Sequence, residues 1–477
     1  MLMKRRGGAA YVAAAWVLVL AACGPAPSLS PSAGPTSSAI ASLGPLGQVD
    51  ADTILAHLEA LQAIAAANGG VRTAATAGYE ASVEYVAGTL RDLGYAVQTP
   101  AFEMATFVEE PGATVRVGGG ASFSGGPDFH AMIYSASGDL TARIVEVGEG
   151  EDQRGGCAAS DFADFPRGAI ALAPPGPCFR RDAVTNAVDA GAVALIVSYP
   201  QWATDAVRRP TLLSPESIDI PALSASAEMG DALRSAADAG RQVTISLHTE
   251  IGSAMVRNVI AESHAVAEHV VMLGGHLDSV HDGPGINDNG SGTAALLAMA
   301  RLLADEHPAV RVRFAFWAGE EFGLLGSRSY TGSLRSAEVA EISAYLNLDM
   351  LGSPNYVPFV YDAPSAALGS KAMADFLVSY LEEAGIGAEP TDLGGSSDHA
   401  SFDALGIPTG GIFSGATEAK SAPQAARFGG TADAPMDGCY HLACDTLANV
   451  KVDVVATFAQ AALALAVAIA SGQLPLD

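Results

Sequence analysis

The sequence predicts an α/β fold, with a mixed but mainly parallel central sheet flanked by helices and a small β-rich domain inserted into it. From residue 255 onward, short apolar runs typical of buried strands alternate with stretches of helical periodicity. Between residues 107 and 246 the sequence changes to short strands and many glycines. With 477 residues, 49% of them hydrophobic, the chain is long enough for two or three domains with sizeable cores.

Residues 1–23 have the features of a signal peptide. The basic start MLMKRR precedes an apolar stretch that is shorter than a typical membrane span, followed by small residues. The ending LAAC resembles the bacterial lipobox, which implies that Cys23 is acylated and becomes the first residue of a lipoprotein. An ordinary secretory signal cleaved nearby is the alternative. Both interpretations predict an exported protein, either anchored at the cell surface or secreted.

Residues 24–46 are rich in Pro, Ser, Ala and Gly without periodicity, which predicts a flexible linker. Without the signal peptide the chain has 22 basic against 52 acidic residues, a net charge of about −30. A charge of this sign repels nucleic acid and anionic lipid. We therefore expect no nucleic-acid partner, and membrane attachment only through an N-terminal lipid anchor.

Residues 47–106 and 247–477 are predicted to form one discontinuous main domain. Its first helix starts near DADTIL and stops at a glycine pair; a second helix and then a strand follow. Apolar residues at helical spacing predict the buried faces of the two helices: Ile54, Leu58, Leu61 and Ile64 in the first, and Val83, Val86, Leu90 and Leu93 in the second.

Residues 107–246 are predicted to be the inserted domain. The apolar runs ARIVEVG, GAIALAPPG and GAVALIVSY predict strands, and DAVTNAVDAGA predicts a helix. The stretch from Gly155 to Tyr199 resembles the protease-associated domain, a small β-rich module. The resemblance implies that this domain supplies no catalytic groups.

The main domain continues with predicted strands at HVVMLGGH, RVRFAFW, AYLNL and IPTGGIFS, and with a helix at SGTAALLAMARLLADE. The helix places Leu296, Ala300 and Leu303 on one face. The closing stretch TFAQAALALAVAIASG is short and is interrupted by Gln460. It therefore predicts a helix buried in the protein core rather than in a membrane.

Five cysteines are present, and four remain if Cys23 carries lipid. Exported proteins meet oxidising conditions, so these four are expected to form disulfides. The local pairs Cys157–Cys178 and Cys439–Cys444 are the simplest pairing, although four cysteines allow three pairings.

Acids and histidines recur at or just beyond predicted strand ends, where functional groups gather in open α/β sheets. They are His276, Asp278, Asp288, Glu320, Glu321, Asp349 and His441. Several carboxylates in a partly desolvated pocket are unfavourable without cations. Imidazole with carboxylate and no thiolate suits catalytic zinc, and two ions about 3.5–4 Å apart share one bridging carboxylate. The pattern predicts a site for two zinc ions.

Each acid also has a purely structural interpretation when taken alone. Asp288 lies in a Gly/Asn loop, where aspartate is usually a turn former. Glu320 and Glu321 could begin a solvated helix. Asp349 follows an otherwise buried strand and needs a partner there. Their joint occurrence at strand ends is what favours a functional site.

Among the histidines, His441 lies in a late loop that a Cys439–Cys444 bridge would hold in place. His399, in GGSSDHASF, competes with it as a ligand, and the alternative is that His399 shapes the wall of the pocket. His281 lies at a loop tip and is not expected to be a ligand.

Several motifs in order resemble the secreted bacterial di-zinc aminopeptidases of leucyl-aminopeptidase type: GGHLDSV, GPGINDNGSGTAALL, FAFWAGEEFGLLGS, LNLDMLGSPN, SSDHASF and CYHLACDT. The likeness covers nearly everything outside the insertion and implies a zinc exopeptidase fold. It implies one zinc on His276 and Asp349, the other on Glu321 and His441, and Asp288 as the bridge. Glu320 would be the general base, and Asp278 would hydrogen-bond the far ring nitrogen of His276.

The same resemblance implies further features of the site. Tyr440 would stabilise the oxyanion, and Met350 and Gly395 would line the substrate pocket. A cis peptide bond is expected at Asp288–Asn289, and Ser291 is expected to cap the helix that follows. Ser396 stands where close relatives have an arginine that contacts substrate, which leaves the residue preference open.

The function implied is an exported metalloexopeptidase that removes N-terminal, hydrophobic residues from peptides with a free N-terminus. The alternatives are a glutaminyl cyclase-like relative with a single zinc, and a surface binding protein that has lost catalysis. The complete ligand set disfavours both. Calcium binding stays open, and a monomer is the default expectation.

Overall fold

The computed structural model describes residues 47–148, 154–199, 207–216, 218–306, 311–363 and 366–476. The expected signal peptide, the acylated Cys23 and the linker at 24–46 lie outside these residues.

The described residues contain eleven α-helices. In chain order they are α1 (Ala51–Ala67), α2 (Ala77–Asp92), α3 (Arg180–Ala190), α4 (Ala227–Asp238), α5 (Gly290–Glu306), α6 (Leu325–Ser333), α7 (Ser336–Glu341), α8 (Ser370–Glu383), α9 (His399–Asp403), α10 (Ala422–Phe428) and α11 (Val452–Ala470).

The same residues contain eighteen strands. They are β1 (Ala96–Gln98), β2 (Ala101–Glu109), β3 (Thr114–Val117), β4 (Ser122–Ser124), β5 (Phe129–Ala131), β6 (Gly138–Glu146), β7 (Ile170–Ala173), β8 (Ala194–Ser198), β9 (Ala222–Ala225), β10 (Gln242–Leu247), β11 (Thr249–Arg257), β12 (Val259–Glu262), β13 (Val270–His276), β14 (Val312–Trp317), β15 (Ile342–Leu348), β16 (Phe359–Tyr361), β17 (Glu389–Thr391) and β18 (Thr409–Phe413).

The main domain is built on an eight-stranded sheet of order β1-β12-β14-β13-β15-β18-β16-β17. Its four central strands, β14, β13, β15 and β18, are parallel neighbours, whereas β1, β12 and β16 each run antiparallel to a neighbour. The mixed, mainly parallel sheet predicted from the sequence is confirmed. The parallel arrangement brings the carboxyl ends of β13, β14 and β15 to one edge.

The inserted domain has its own eight-stranded sheet, of order β4-β3-β10-β6-β7-β8-β9-β5. Strands β6 to β9 are parallel, and helices α3 and α4 lie in the connections before β8 and after β9. A two-stranded antiparallel ribbon of β2 and β11 carries the chain into and out of this domain, with Ala101 opposite Arg257 and Glu109 opposite Thr249.

Helices α1, α5, α8 and α11 pack together beside the main sheet and bury its apolar face. Helix α11 is the one described helix that is long and apolar enough to cross a membrane, and 67% of its apolar window is buried within the protein. In α1 the buried residues are Ile54, Leu58, Leu61 and Ala65. Ile64 is half-buried, so the expected face was wrong at that position, where the adjacent alanine faces the core instead.

Both expected disulfides are present in the structure. Cys157 pairs with Cys178 in the inserted domain, and Cys439 pairs with Cys444 in the loop that contains His441. The second bridge closes a loop of only a few residues and so restricts the backbone at this histidine.

Candidate functional site

Three neighbouring parallel strands bring the first part of the site together. His276 is the last residue of β13 and lies opposite Trp317, the last residue of β14. Glu320 and Glu321 follow β14 after a short turn, and Asp349 directly follows β15. The strand-end rule that predicted this grouping therefore holds for three of the segments.

Asp288 lies between two imidazoles and directs one carboxylate oxygen at each. Its Oδ1 is 3.1 Å from Nε2 of His276, and its Oδ2 is 3.1 Å from Nε2 of His441. Asp349 Oδ1 lies 3.4 Å from the same nitrogen of His276, and Glu321 Oε2 lies 3.0 Å from that of His441. The five side chains thus form two groups of donors, His276–Asp288–Asp349 and Asp288–Glu321–His441, which share one carboxylate.

The donor set fits divalent cations. Asp288, Glu321 and His276 are buried, and Glu321 Oε1 and Asp349 Oδ1 are buried oxygens without a hydrogen-bond donor in the described structure. An unpaired buried carboxylate oxygen costs free energy unless a cation or donor approaches it. Two imidazoles and three carboxylates without a thiolate are the donors expected of catalytic zinc.

The pKa values of the histidines and glutamates in the site are raised, so the site favours bound positive charge, whether protons or cations. Burial lowers the pKa of His441, but the charge of Glu321 and hydrogen bonds to Asp288 and Glu321 outweigh it and raise the pKa to about 10. Burial also opposes protonation of His276, yet the charges of Asp349 and Glu320 raise its pKa well above the usual value. Burial raises the pKa of Glu321 to about 7 and that of Glu320 well above its ordinary value.

The loop between His276 and Asp288 is held by Arg72, a fully buried residue just after α1. Its guanidinium donates to the backbone carbonyls of Leu277, of Pro284 at 3.0 Å and of Gly285 at 2.5 Å. Gly285 has φ +62°, and a Cβ there would lie 2.3 Å from the Asp288 carbonyl oxygen, so no other residue fits this turn. Arg72 was missed from the sequence.

The peptide bond Asp288–Asn289 is cis, as expected. The expected cap at Ser291 was wrong. Ser291 Oγ instead donates to the carbonyl of Asn287 at 2.6 Å, and the N–H of Gly292 donates to Asn289 Oδ1 at 2.9 Å. Asn289 therefore caps the start of α5, because its side chain reaches an N–H of the first helical turn.

Asp445 fixes the backbone of the shared carboxylate. Its two oxygens accept the backbone N–H groups of Asn287 at 2.9 Å and Asp288 at 3.0 Å. Asn449 donates to Asp445 at 3.3 Å and to both oxygens of Asp437 at 2.9 Å. Asp445 lies in the motif CYHLACDT, four residues after His441, and its proximity to that histidine was the available signal.

Asp349 is oriented by a chain of hydrogen bonds within the main sheet. Ser397 Oγ donates to Asp349 Oδ2 at 2.7 Å and accepts from Asn347 Nδ2 at 2.8 Å. Asn347 Oδ1 in turn accepts from the hydroxyl of Tyr345 at 3.0 Å, which accepts from Trp317 Nε1 at 2.8 Å. Neither Ser397 nor Asn347 was identified from the sequence.

Asp278 lies beside His276, but the hydrogen bond expected between its carboxylate and the imidazole was wrong. Nδ1 of His276 lies 3.1 Å from the backbone carbonyl oxygen of Asp278 and 3.7 Å from its carboxylate Oδ1, which is beyond hydrogen-bond distance. The carbonyl therefore orients the imidazole. The carboxylate instead accepts the backbone N–H of Glu320 at 3.2 Å and so positions the proposed base.

Tyr440 and His441 form a sharp turn inside the Cys439–Cys444 loop. His441 has φ +60°, and the Tyr440 ring stacks on its imidazole with centroids 3.8 Å apart. The stacking and the disulfide both restrict how far the imidazole can move away from Asp288 and Glu321.

Of the two expected pocket residues, Gly395 lines a cavity in the described structure, and Met350 does not line that cavity. Met350 is buried directly after Asp349, with φ +53°. Gly395 borders a cavity of about 300 Å³ whose lining also includes Tyr361, Leu393 and His399. Ser396, which replaces the expected arginine, is exposed next to it.

His399 and His281, the other two histidines considered as ligands from the sequence, lie outside both donor groups. His399 packs its ring against Tyr361, with centroids 4.9 Å apart, and lines the cavity. His281 packs against Phe322, with centroids 5.4 Å apart. The geometry thus brings His441, rather than His399, to the shared carboxylate.

Comparisons with known proteins show which families the two domains resemble. Residues 258–466 match Peptidase family M28, and residues 138–233 match the PA domain. An aminopeptidase of Pseudomonas aeruginosa is 38% identical over 421 residues, covering 85% of this chain and 78% of that protein. A probable lipoprotein aminopeptidase, LpqL, of Mycobacterium tuberculosis is 40% identical over 420 residues, covering 84% of this chain and 81% of its own length.

The fold is similar to that of an aminopeptidase from Aneurinibacillus sp. strain AM-1. The TM-score is 0.70 at 25% identity, and the match covers 90% of this chain and 96% of that structure. The shared fold therefore includes the inserted domain as well as the main domain.

Proposed function

The chain belongs to peptidase family M28 and is a zinc-dependent aminopeptidase with a PA domain, and on that premise we propose that it is an exported enzyme with two zinc ions per chain. Its substrates would be peptides with a free N-terminus, from which it releases hydrophobic residues. The observation that carries the proposal is Asp288, whose two oxygens face the imidazoles of His276 and His441 at 3.1 Å each.

In this proposal His276 and Asp349 would hold one ion, Glu321 and His441 would hold the other, and Asp288 would contribute an oxygen to each. When bound, the pair would polarise the scissile carbonyl and lower the pKa of the attacking water. The backbone carbonyl of Asp278 keeps the far nitrogen of His276 as a donor, so that its Nε2 is free for coordination.

Glu320 is proposed as the general base. Glu320 also lies in a group of possible donors, with His276 and Glu321, but of the two glutamates Glu321 is the one that pairs with an imidazole, at 3.0 Å from His441. Glu320 is therefore the carboxylate assigned to proton transfer. Burial raises the pKa of Glu320 well above its usual value in the metal-free site, and a raised pKa makes the ionised carboxylate a stronger proton acceptor. It would take the proton from the attacking water and deliver it to the leaving amine.

Tyr440 is proposed to donate its phenolic hydrogen to the developing oxyanion. Burial raises its pKa well above the usual value, so the phenol keeps its proton at neutral pH. Met350 and Gly395 would contact the N-terminal residue of the substrate. In that position the apolar side chain of Met350 would favour a hydrophobic residue at the N-terminus of the substrate.

Export as a lipoprotein is supported by the LAAC sequence ending at Cys23 and by the name of the Mycobacterium tuberculosis relative. The domain division proposed is a signal peptide at 1–23, a linker at 24–46, a main domain at 47–106 and 247–477, and an insertion at 107–246.

The direct test is hydrolysis of leucyl-p-nitroanilide by the purified chain. We expect activity that a chelator abolishes and added zinc restores. Acetyl-leucyl-p-nitroanilide, which lacks the free amine, is the matched control and should be turned over at least a hundred times more slowly, about 3 kcal/mol of transition-state binding. Absence of hydrolysis after zinc reloading, or equal turnover of both substrates, would reject the proposed activity.

A further inference from the structure

A short segment of the inserted domain contacts the loops of the proposed active site. We define the Arg208 segment as residues 207–213. Arg208 donates from Nε to the backbone carbonyl of Tyr440 at 3.0 Å. The next residue, Arg209, donates from Nε to Asp282 Oδ2 at 3.3 Å, in the loop between His276 and Asp288. The inserted domain thus reaches two of the loops that carry the donor groups.

The Arg208 segment also lies against the loop that carries Glu321. Gly323 has φ +116°, and a Cβ on it would lie 2.6 Å from the carbonyl oxygen of Leu213. This contact is backbone against backbone and leaves no room for a side chain. Beside it, Phe322 packs against Tyr134 of the inserted domain with ring centroids 6.3 Å apart.

The inserted domain holds this segment firmly enough to act as a support. Leu212 donates its N–H to the carbonyl of Ile133 at 3.1 Å, and Ile133 donates to the carbonyl of Pro210 at 3.0 Å. Arg209 Nη1 donates to Glu109 Oε2 at 2.6 Å, at the end of the connecting ribbon. Because the Arg208 segment is hydrogen-bonded to the rest of the inserted domain, it can restrain the active-site loops that it contacts.

The contacts fall unequally on the two donor groups. Arg208 bonds the residue next to His441, and Leu213 and Tyr134 contact the two residues after Glu321. These two ligands belong to the same group, Asp288–Glu321–His441. Asp349, in the other group, is oriented from within the main domain through Ser397.

We propose that Arg208 is a positioning residue that holds the Tyr440–His441 turn, so that the inserted domain secures the cation on Asp288, Glu321 and His441. The inference rests on the proposed two-zinc function and adds a role for the insertion. Because Arg208 bonds a backbone carbonyl, it would act through His441 rather than through contact with the substrate. Loss of this bond should loosen one of the two ions first.

The experiment compares Arg208→Ala, Arg208→Lys and the control Arg234→Ala. Arg234 is also an arginine of the inserted domain, but its described ion pair is with Asp231 on its own helix. Each zinc-loaded variant is dialysed against a graded series of chelator concentrations, and zinc per chain, kcat and KM for leucyl-p-nitroanilide are measured. Circular dichroism checks folding.

We expect Arg208→Ala to fall from two zinc ions to one at about a tenth of the chelator concentration that the control withstands. Its kcat should fall about tenfold at limiting zinc with KM within twofold, and Arg208→Lys should recover part of both. In an Asp349→Ala background, where the remaining ion is held by the Glu321–His441 group, Arg208→Ala should weaken zinc retention further. In a His441→Ala background it should have no added effect.

Equal zinc retention in Arg208→Ala and the control would overturn the inference, as would simultaneous loss of both ions. A rise in KM with unchanged kcat would show that Arg208 binds substrate instead. If Arg208→Ala does not fold, Arg208→Lys is compared with the control instead. Equal zinc retention, or simultaneous loss of both ions, would again overturn the inference. A wild-type chain that binds no zinc or hydrolyses no substrate would reject the proposed function itself, which separates the two failures.

Discussion

Zinc binding to the metal-free protein is predicted to release protons at pH 7. The pKa of His441 is raised to about 10, so at pH 7 roughly a thousand imidazoles are protonated for each neutral one. The pKa of His276 is also raised well above its usual value by the surrounding carboxylates. Zinc binds only neutral imidazole, so each histidine must lose its proton. Glu321, with a pKa of about 7, adds up to half a proton more.

His441, His276 and Glu321 together are therefore expected to contribute about two to two and a half released protons per chain when two ions bind. The sign follows from linkage: groups protonated in the metal-free protein and deprotonated in the complex make zinc affinity rise with pH. Two released protons correspond to about a hundredfold weaker overall binding for each pH unit lost below 7. Above the raised pKa of His441, that histidine no longer contributes to this dependence.

Isothermal titration calorimetry in buffers of different ionisation enthalpy measures the released protons directly. His399→Ala is the matched control, because burial lowers the pKa of His399 to about 4 and the residue lies outside both donor groups. It should release as many protons as the wild type, whereas His441→Ala should release about one fewer. Proton uptake, or a binding heat independent of buffer, would refute the assignment of both histidines as ligands.

Three substitutions test the roles assigned to other residues of the site. Glu320→Gln should lower kcat by at least a thousandfold in steady-state assays while zinc per chain stays at two, and a near-normal rate would remove Glu320 from its role. Ser397→Ala should weaken zinc binding about 10–100-fold in chelator competition, since it removes the 2.7 Å bond to Asp349; unchanged affinity would show that Asp349 needs no such partner. Arg72→Met should destabilise the fold by about 3 kcal/mol or more, because three buried carbonyls lose their donor; an unaltered melting temperature would contradict this.

The sheet and most of the donor set could be predicted because they depend on local patterns. Apolar runs marked β13, β14 and β15, and the parallel arrangement then required their carboxyl ends to meet. That geometry groups His276, Glu320, Glu321 and Asp349, whereas the choice of Glu321 over Glu320 as a donor depended on the family resemblance. The choice of His441 over His399 as a donor depended on the family resemblance, because a loop has no periodicity from which its position in the fold can be predicted.

The supporting residues could not be predicted because their bonds run mainly to backbone atoms far away in sequence. Arg72 bonds carbonyls more than 200 residues later, and nothing in GGVRT indicates that its side chain is buried. The Asp278 carboxylate was assigned to His276, but the short chain between them places a carbonyl closer. Arg208 was missed for the same reason, since its partner is the backbone of Tyr440, 232 residues away.

The central claim is that Asp288 is shared by two cations, and anomalous diffraction at the zinc edge from crystals of the zinc-loaded protein tests it most directly. The account predicts two peaks, one beside His276 and Asp349 and one beside Glu321 and His441, with a carboxylate oxygen of Asp288 against each. A single fully occupied peak, or two peaks of which neither contacts Asp288, would contradict it.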